Sequence, residues 1–147
     1  MKTPVPHTEK GTGVNCYKRG GFMDIKFSRS GNVLIIKISG EIDHHSADIV
    51  RRSMDREIMN IQTKHVVFDF SELTFMDSSG IGMLMGRYRS VKLLGGSAAI
   101  VLQKSDVCDR YGMPSLSSME RILDMSGVFK CMDRYDDLKS ALSCIGG

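Results

Sequence analysis

The chain has 147 residues, of which 41% are hydrophobic and 25% are charged, and this composition is typical of one globular domain. It argues against a disordered, collagen-like or membrane-embedded protein, because no apolar run approaches the roughly 20 residues that a membrane span needs. The formal net charge is +3. Residues 1–22 hold four basic and one acidic residue, whereas residues 23–147 hold 16 of each. Since the domain itself is electroneutral, we expect no direct DNA binding and no membrane partner.

The first 22 residues are rich in proline and glycine and show no hydrophobic periodicity. We expect a flexible basic tail over residues 1–22, either a tag or a mis-assigned start, with Met23 as an alternative first residue. No apolar leader segment is visible. The four cysteines lack metal-binding spacing. A cytoplasmic, reduced protein is therefore expected; its cysteines are Cys16, Cys108, Cys131 and Cys144.

From residue 24 onward, apolar patterns of period two alternate with patterns of period 3.6. Short β-rich runs predict strands at 24–28, 33–38, 65–70, 98–102 and 129–132. Apolar positions three and four apart predict helices at 46–62, 81–91, 119–123 and 138–142. Ser46 is the expected N-cap of the first helix, and Gly95 with Gly96 ends the second.

This order predicts an α/β fold with a central, mostly parallel sheet, begun by an N-terminal hairpin strand and covered by about four α-helices. Loops that leave the carboxyl ends of parallel strands meet at one edge of the sheet, where such folds place their sites. Three segments are expected there: 40–45, 76–81 and 104–115. The last has no clear period and is long for a loop in a compact domain.

The second of these segments contains Asp77-Ser78-Ser79-Gly80 at a strand-to-helix turn. Taken alone, the string fits a capped helix whose glycine allows close packing. A nucleophile elbow around Ser78 requires glycine two residues earlier, where Met76 stands. A phosphate-binding P-loop requires a G-K-[ST] string, which does not follow. A hydrolase using Ser78 with His44 stays open as a weak alternative.

Four strings occur in order along the chain: GEIDHH at 40–45, FMDSSGIG at 75–82, GRY at 86–88 and DMSGVFK at 124–130. Together they resemble the STAS-domain anti-anti-sigma factors, and most of all the members that act in sporulation. The resemblance covers roughly residues 23–145 and implies a STAS domain over 23–147. The loop at about 104–115 departs from the family pattern, which runs almost directly from the preceding strand into the next helix.

The resemblance implies a phosphorylation switch on Ser78, with Ser79 as the rival acceptor. In the family, the unphosphorylated protein binds an anti-sigma factor that is itself a serine kinase, and so releases the sigma factor. The kinase uses ATP to phosphorylate the serine and switch the protein off, and a metal-dependent serine phosphatase restores it.

The same resemblance implies a partner-binding face and no catalytic residue, metal site or cofactor. Its residues are Asp43, His44, Asp77, Ser78, Ser79, Gly80, Ile81 and Arg87. The protein is therefore expected to be a regulator and not an enzyme. Two further alternatives remain: the same switch in a general stress-response circuit, and a nucleotide-binding STAS module.

Overall fold

The structure, a computed structural model, describes residues 13–18, 21–60, 62–103, 108–113 and 117–145, with side chains from Met23 onward. The strands are β1 (Gly13–Lys18), β2 (Gly21–Ser30), β3 (Val33–Ile42), β4 (His65–Met76), β5 (Ala98–Val101) and β6 (Asp133–Tyr135). The helices are α1 (His44–Ile58), α2 (Ser78–Leu93), α3 (Ser118–Met125), α4 (Val128–Cys131) and α5 (Leu138–Ile145).

The six strands form one sheet in chain order. Strands β1, β2 and β3 are antiparallel neighbours, and β3, β4, β5 and β6 pair in parallel. The connections between parallel strands contain helices, as crossovers require. The prediction of an α/β fold with a mostly parallel sheet begun by a hairpin is confirmed.

Both faces of the central strands are covered, which explains their β-branched, almost uninterrupted apolar sequences. Helices α1, α2 and α3 pack on the face that includes Leu34, Phe68 and Ile100. Helix α5 packs on the alternate positions, which include Val67 and Val101. The sheet is therefore sandwiched between helices, and its strand ends are left for other contacts.

The pairing of β3 with β4 is irregular near its carboxyl end. Between the pairs Lys37–Asp69 and Ile42–Met76, β3 advances by five residues and β4 by seven. The two extra residues of β4 form irregularities of the β-bulge kind, which bend a strand and increase its twist. Because of these irregularities the two strands end side by side, although β4 uses two more residues than β3 over this stretch.

Two predictions about elements need correction. Residues 13–18 form β1 and pair with residues 21–26, so they do not belong to a tail; the edge of β2 supplies hydrogen-bonding groups that order them. Residues 1–12, 19 and 20 lie outside the described residues. The strand expected at 129–132 is also wrong: Gly127, with φ of 82°, starts the short helix α4, and β6 begins only at Asp133. A short apolar run fits either structure.

No helix among the described residues is long and apolar enough to cross a membrane.

Candidate functional site

Strands β3 and β4 end beside each other, and a helix starts directly after each. Ile42 pairs with Met76, and the backbone N–H of Asp77 donates a 3.1 Å hydrogen bond to the carbonyl of Ile42. A single residue, Asp43 or Asp77, separates each strand from its helix. The N-termini of α1 and α2 are therefore neighbours. We call residues 41–46 and 75–81 the carboxyl edge.

Asp43 is the N-cap of α1. Its Oδ1 accepts hydrogen bonds from the backbone N–H groups of His45 (3.0 Å) and Ser46 (3.1 Å). The Asp43 N–H in turn donates to Ser46 Oγ at 3.0 Å, which completes a capping box. The prediction that Ser46 is the N-cap is wrong by three residues, because Ser46 is the buried N3 partner of that box. Asp43 thus has a structural role that the sequence reasoning missed.

Asp77 caps α2, its Oδ1 accepting the backbone N–H of Gly80 at 3.1 Å. Gly80 is buried because the first turn of α2 packs directly on the strand ends. A Cβ at this position would lie 2.3 Å from Met76 Cγ and 3.1 Å from Ile42 Cγ2. Gly80 is therefore needed for close approach of helix and sheet, and not for a special backbone angle.

Ser78 is the first residue of α2, and both Ser78 and Ser79 are exposed. No hydrogen-bond partner of the Ser78 hydroxyl is found in the described part of the chain. His44 is exposed at the start of α1, and its ring lies 3.9 Å from that of His45. Within the described residues no hydrogen bond joins Ser78 to a histidine or a carboxylate, and no group of three metal-ligating side chains occurs there.

Arg87 lies away from the edge. Counted along α2, it is about 13 Å from Ser78. Its side chain is only 13% exposed, and Nε lies 2.9 Å from Asp55 Oδ1, between α2 and α1. Arg87 is expected from the family resemblance to lie on the partner-binding face. In the structure this guanidinium joins the two helices, and contact of Arg87 with a partner stays a prediction. Ile81, by contrast, is half-buried at the edge itself.

Phe75 is not among the site residues predicted from the sequence. It is the last residue but one of β4, and its side chain is 41% exposed beside the exposed serines. Together with Ser118, Arg121 and Ile122 it lines a groove of about 400 Å³ between β4 and α3. An exposed aromatic ring next to a candidate site is the usual sign of a contact surface. The one sequence signal for Phe75 is its place in the FMDSSG string.

The loop at 104–115 is described only in part. Residues 104–107 and 114–116 lie outside the described residues. Within 108–113, Asp109 Oδ1 accepts the backbone N–H groups of Tyr111 (2.8 Å) and Met113 (2.9 Å). This makes a tight turn that presents Tyr111 and Met113 to solvent. The predicted absence of helix and strand elements holds for these six residues.

The fold is a mostly parallel sheet that begins with an antiparallel hairpin, and two capped helices start at one of its edges. These features define the class of protein to which the chain belongs. The family model of the STAS domain matches residues 24–141, and the chain belongs to that family. Among its relatives is the anti-sigma F factor antagonist of Paenibacillus polymyxa. The two are 41% identical over 121 residues, which cover 82% of this chain and 93% of the relative.

Solved structures agree on the fold. The anti-sigma factor antagonist SpoIIAA in its unphosphorylated form superposes with a TM-score of 0.63 at 22% identity, covering 84% of this chain and 97% of that one. The phosphorylated form of SpoIIAA from Bacillus gives a TM-score of 0.58 at 23% identity, with 81% and 96% covered. The predicted STAS fold is confirmed.

Proposed function

We propose that this chain is an anti-sigma factor antagonist of the sporulation circuit, whose carboxyl edge binds an anti-sigma factor. Phosphorylation of Ser78 switches this binding off. The long match to the anti-sigma F factor antagonist of Paenibacillus polymyxa supports the regulatory role. The observation that carries the switch is the position of Ser78: an exposed hydroxyl, free of hydrogen bonds within the described residues, at the first position of a 16-residue helix.

A phosphate on Ser78 is compatible with the fold. The first backbone N–H groups of a helix have no partner within it, and the helix dipole favours an anion there. The Asp77 carboxylate uses the N–H of Gly80, so the first turn is already held before any phosphate is added. Since Ser78 is exposed, the phosphate extends into solvent and displaces no core side chain.

The same phosphate changes the surface that a partner meets. It adds about −1.5 to −2 charges beside Asp43 and Asp77. Arg87, the nearest arginine along α2, is bound to Asp55 and too distant to neutralise it. A bound anti-sigma factor would face both the added charge and the added bulk. A loss of only ~3 kcal/mol in docking free energy weakens binding by roughly a hundredfold.

In this proposal the partner is both an anti-sigma factor and a serine kinase, so ATP binds to the partner and not to this chain. A metal-dependent serine phosphatase reverses the modification. The chain itself acts in the cytoplasm as a regulator without catalytic activity. The contact residues proposed at the edge are Asp43, His44, Asp77, Ser78, Ser79, Gly80 and Ile81; Phe75 extends that surface.

The phosphorylation site is tested by incubating the protein with its cognate anti-sigma kinase and ATP and mapping the product by mass spectrometry. The proposal predicts one phosphate on Ser78 and none on the Ser78→Ala variant. Ser79→Ala, which removes the neighbouring exposed hydroxyl, is the matched control and should still accept phosphate. Phosphate on Ser79 in the unaltered protein would contradict the assignment.

A further inference from the structure

The end of the molecule opposite the carboxyl edge exposes three large aliphatic side chains. Met59, at the C-terminus of α1, is 68% exposed, and Leu93 and Leu94, at the C-terminus of α2, are 88% and 55% exposed. Leu93 makes almost no contact with its own protein. Single exposed apolar residues are common, but a group at one place marks an interaction surface.

These side chains lie together because α1 and α2 run in parallel on the same face of the sheet. Asp55 and Arg87 join the two helices, with 2.9 Å between Oδ1 and Nε. Met59 comes one turn after Asp55, and Leu94 comes two turns after Arg87. Both therefore lie at the shared C-terminal end of the helix pair.

Three cations lie at the same end of the helix pair. Arg56 and Lys92 belong to the last turns of α1 and α2. Lys64 lies at the same end, because Gly96, just after α2, packs so closely on it that a Cβ would fall 1.7 Å from the Lys64 carbonyl oxygen. All three cations are exposed, and none has an ion-pair partner among the described residues. We call Arg56, Met59, Lys64, Lys92, Leu93 and Leu94 the amino-edge patch.

The nearest carboxylates do not neutralise the patch. Asp55 lies beside the Arg87 guanidinium. Glu57 pairs with Arg29 at 3.3 Å, in a contact that is mostly buried. Each of these acids is thus balanced by an arginine outside the patch, so its three cations make it a local centre of positive charge.

The charge argues against a second copy of this chain as the occupant. A symmetric dimer would place the same three cations of each copy against each other, which is repulsive. The shape argues against a folded acidic protein. The aliphatic side chains stand at helix ends with most of their surface exposed, whereas protein partners require matched, well-packed surfaces. The surface of a lipid bilayer is fluid, so it accepts protruding side chains without such matching.

We propose that the amino-edge patch is a peripheral docking surface for anionic phospholipids. Arg56, Lys64 and Lys92 contact the headgroup phosphates, while Met59, Leu93 and Leu94 insert at the boundary between headgroups and acyl chains. The carboxyl edge, at the far ends of the same helices, then faces away from the bilayer. Docking of this kind leaves Ser78 accessible and does not depend on anti-sigma factor binding.

The test is sedimentation of the full chain with vesicles of phosphatidylcholine containing about one third phosphatidylglycerol, at low and at physiological salt. Binding should occur to these vesicles, fall steeply with salt, and be absent with phosphatidylcholine alone. Replacing Arg56, Lys64 and Lys92 by glutamine should weaken binding at least tenfold. Leu93→Ser with Leu94→Ser should weaken it too; both side chains are exposed, so the fold is retained.

A matched control removes three exposed lysines elsewhere, by Lys26→Gln, Lys130→Gln and Lys139→Gln. It makes the same change in net charge, and its binding should stay within twofold of the unaltered chain. Every variant keeps the basic residues of positions 1–22, so binding that survives loss of the patch cations would overturn the proposal. So would equal losses in patch and control variants. A chain that ignores anionic vesicles but binds polyglutamate through the patch would also overturn it, in favour of an acidic protein partner.

Discussion

The two ends of the parallel sheet carry opposite chemistry. At the carboxyl edge α1 and α2 begin, and Asp43 and Asp77 cap them beside the exposed Ser78. At the amino edge the same two helices end among exposed aliphatic side chains and three cations that have no ion-pair partner in the described part of the chain. Each edge adds charges opposite in sign to the helix dipole that it meets, which is the favourable arrangement.

A domain with a net charge of zero can still carry opposite charges at its two ends, as the comparison of the two edges shows. Residues 23–147 contain equal numbers of acidic and basic residues, and on that basis neither DNA nor a membrane is an expected partner. The fold sorts part of these charges to opposite ends. One edge can therefore respond to an added phosphate while the other makes a separate contact.

The largest effect is expected from adding a negative charge to the carboxyl edge. Ser78→Asp should weaken binding of the anti-sigma factor by about a hundredfold, equivalent to ~3 kcal/mol, because the charge enters the centre of the docking surface. Ser78→Ala should bind like the unphosphorylated protein. Isothermal titration calorimetry measures both.

The matched control places the same charge at the amino edge. Ser97 is exposed there, next to His65, and Ser97→Asp should leave anti-sigma affinity within about twofold. If Ser97→Asp weakened binding as much as Ser78→Asp, the effect would be one of net charge, and the assignment of binding to the carboxyl edge would be lost.

Close packing at the carboxyl edge is tested with two glycines of α2. Gly80→Ala should lower the free energy of unfolding by about 1–3 kcal/mol, because the new methyl group collides with Met76 and Ile42. Gly82→Ala meets no atom within 4 Å and should raise it by up to about 1 kcal/mol. Urea unfolding compares them. Equal effects would mean that helix propensity, and not contact with the strand ends, sets the requirement for Gly80.

A smaller effect separates capping from partner contact at Asp43. Asp43→Ala should cost about 1 kcal/mol of stability, since the N–H groups of His45 and Ser46 lose their acceptor. Asp43→Asn keeps an acceptor and should unfold nearly as the parent does. Any loss of anti-sigma affinity in Asp43→Asn then reports the carboxylate charge. Equal destabilisation by both variants in urea would contradict the capping role.

The smallest effect lies at the amino edge. Burial, and to a lesser extent the charge of Lys64, lowers the pKa of His65 below its usual 6.5. The neutral ring is thus favoured in the folded state, where Nδ1 accepts the N–H of Ser97 at 3.0 Å.

Because the folded-state pKa is the lower one, the unfolded chain binds the proton more readily. The free energy of unfolding should therefore fall as pH drops from about 7.5 to 5.5. His65→Gln should reduce this fall, as urea titrations at several pH values would show. The carboxylates with lowered pKa, such as Asp48 and Glu72, lose their contributions only at more acidic pH. An unchanged pH profile in His65→Gln would exclude the histidine as the cause.

Periodicity in the sequence predicts much of the fold, because the central strands and the main helices bury faces that repeat regularly. The Asp77-Ser78-Ser79-Gly80 string predicts the turn between β4 and α2. Prediction failed where two structures suit the same residues. The apolar residues at 128–132 fit a strand and a helical turn equally well. The positive φ of Gly127 favours the helix.

Two features of the surface depended on tertiary structure. The exposure of Leu93 and Leu94 follows from where α2 ends relative to the sheet, which a hydrophobic pattern does not specify. The burial of Arg87 follows from the packing of α2 against α1, where Asp55 lies. The family pattern suggested an arginine available to a partner, because it records residue types without their neighbours.

The central claim is that Ser78 controls a docking surface at the carboxyl edge. The most direct measurement is the affinity of the cognate anti-sigma factor for this protein before and after stoichiometric phosphorylation, and again after phosphatase treatment. We predict tight binding, a loss of about a hundredfold, and full recovery, with folding unchanged by circular dichroism. Equal affinity of the two forms would contradict the account.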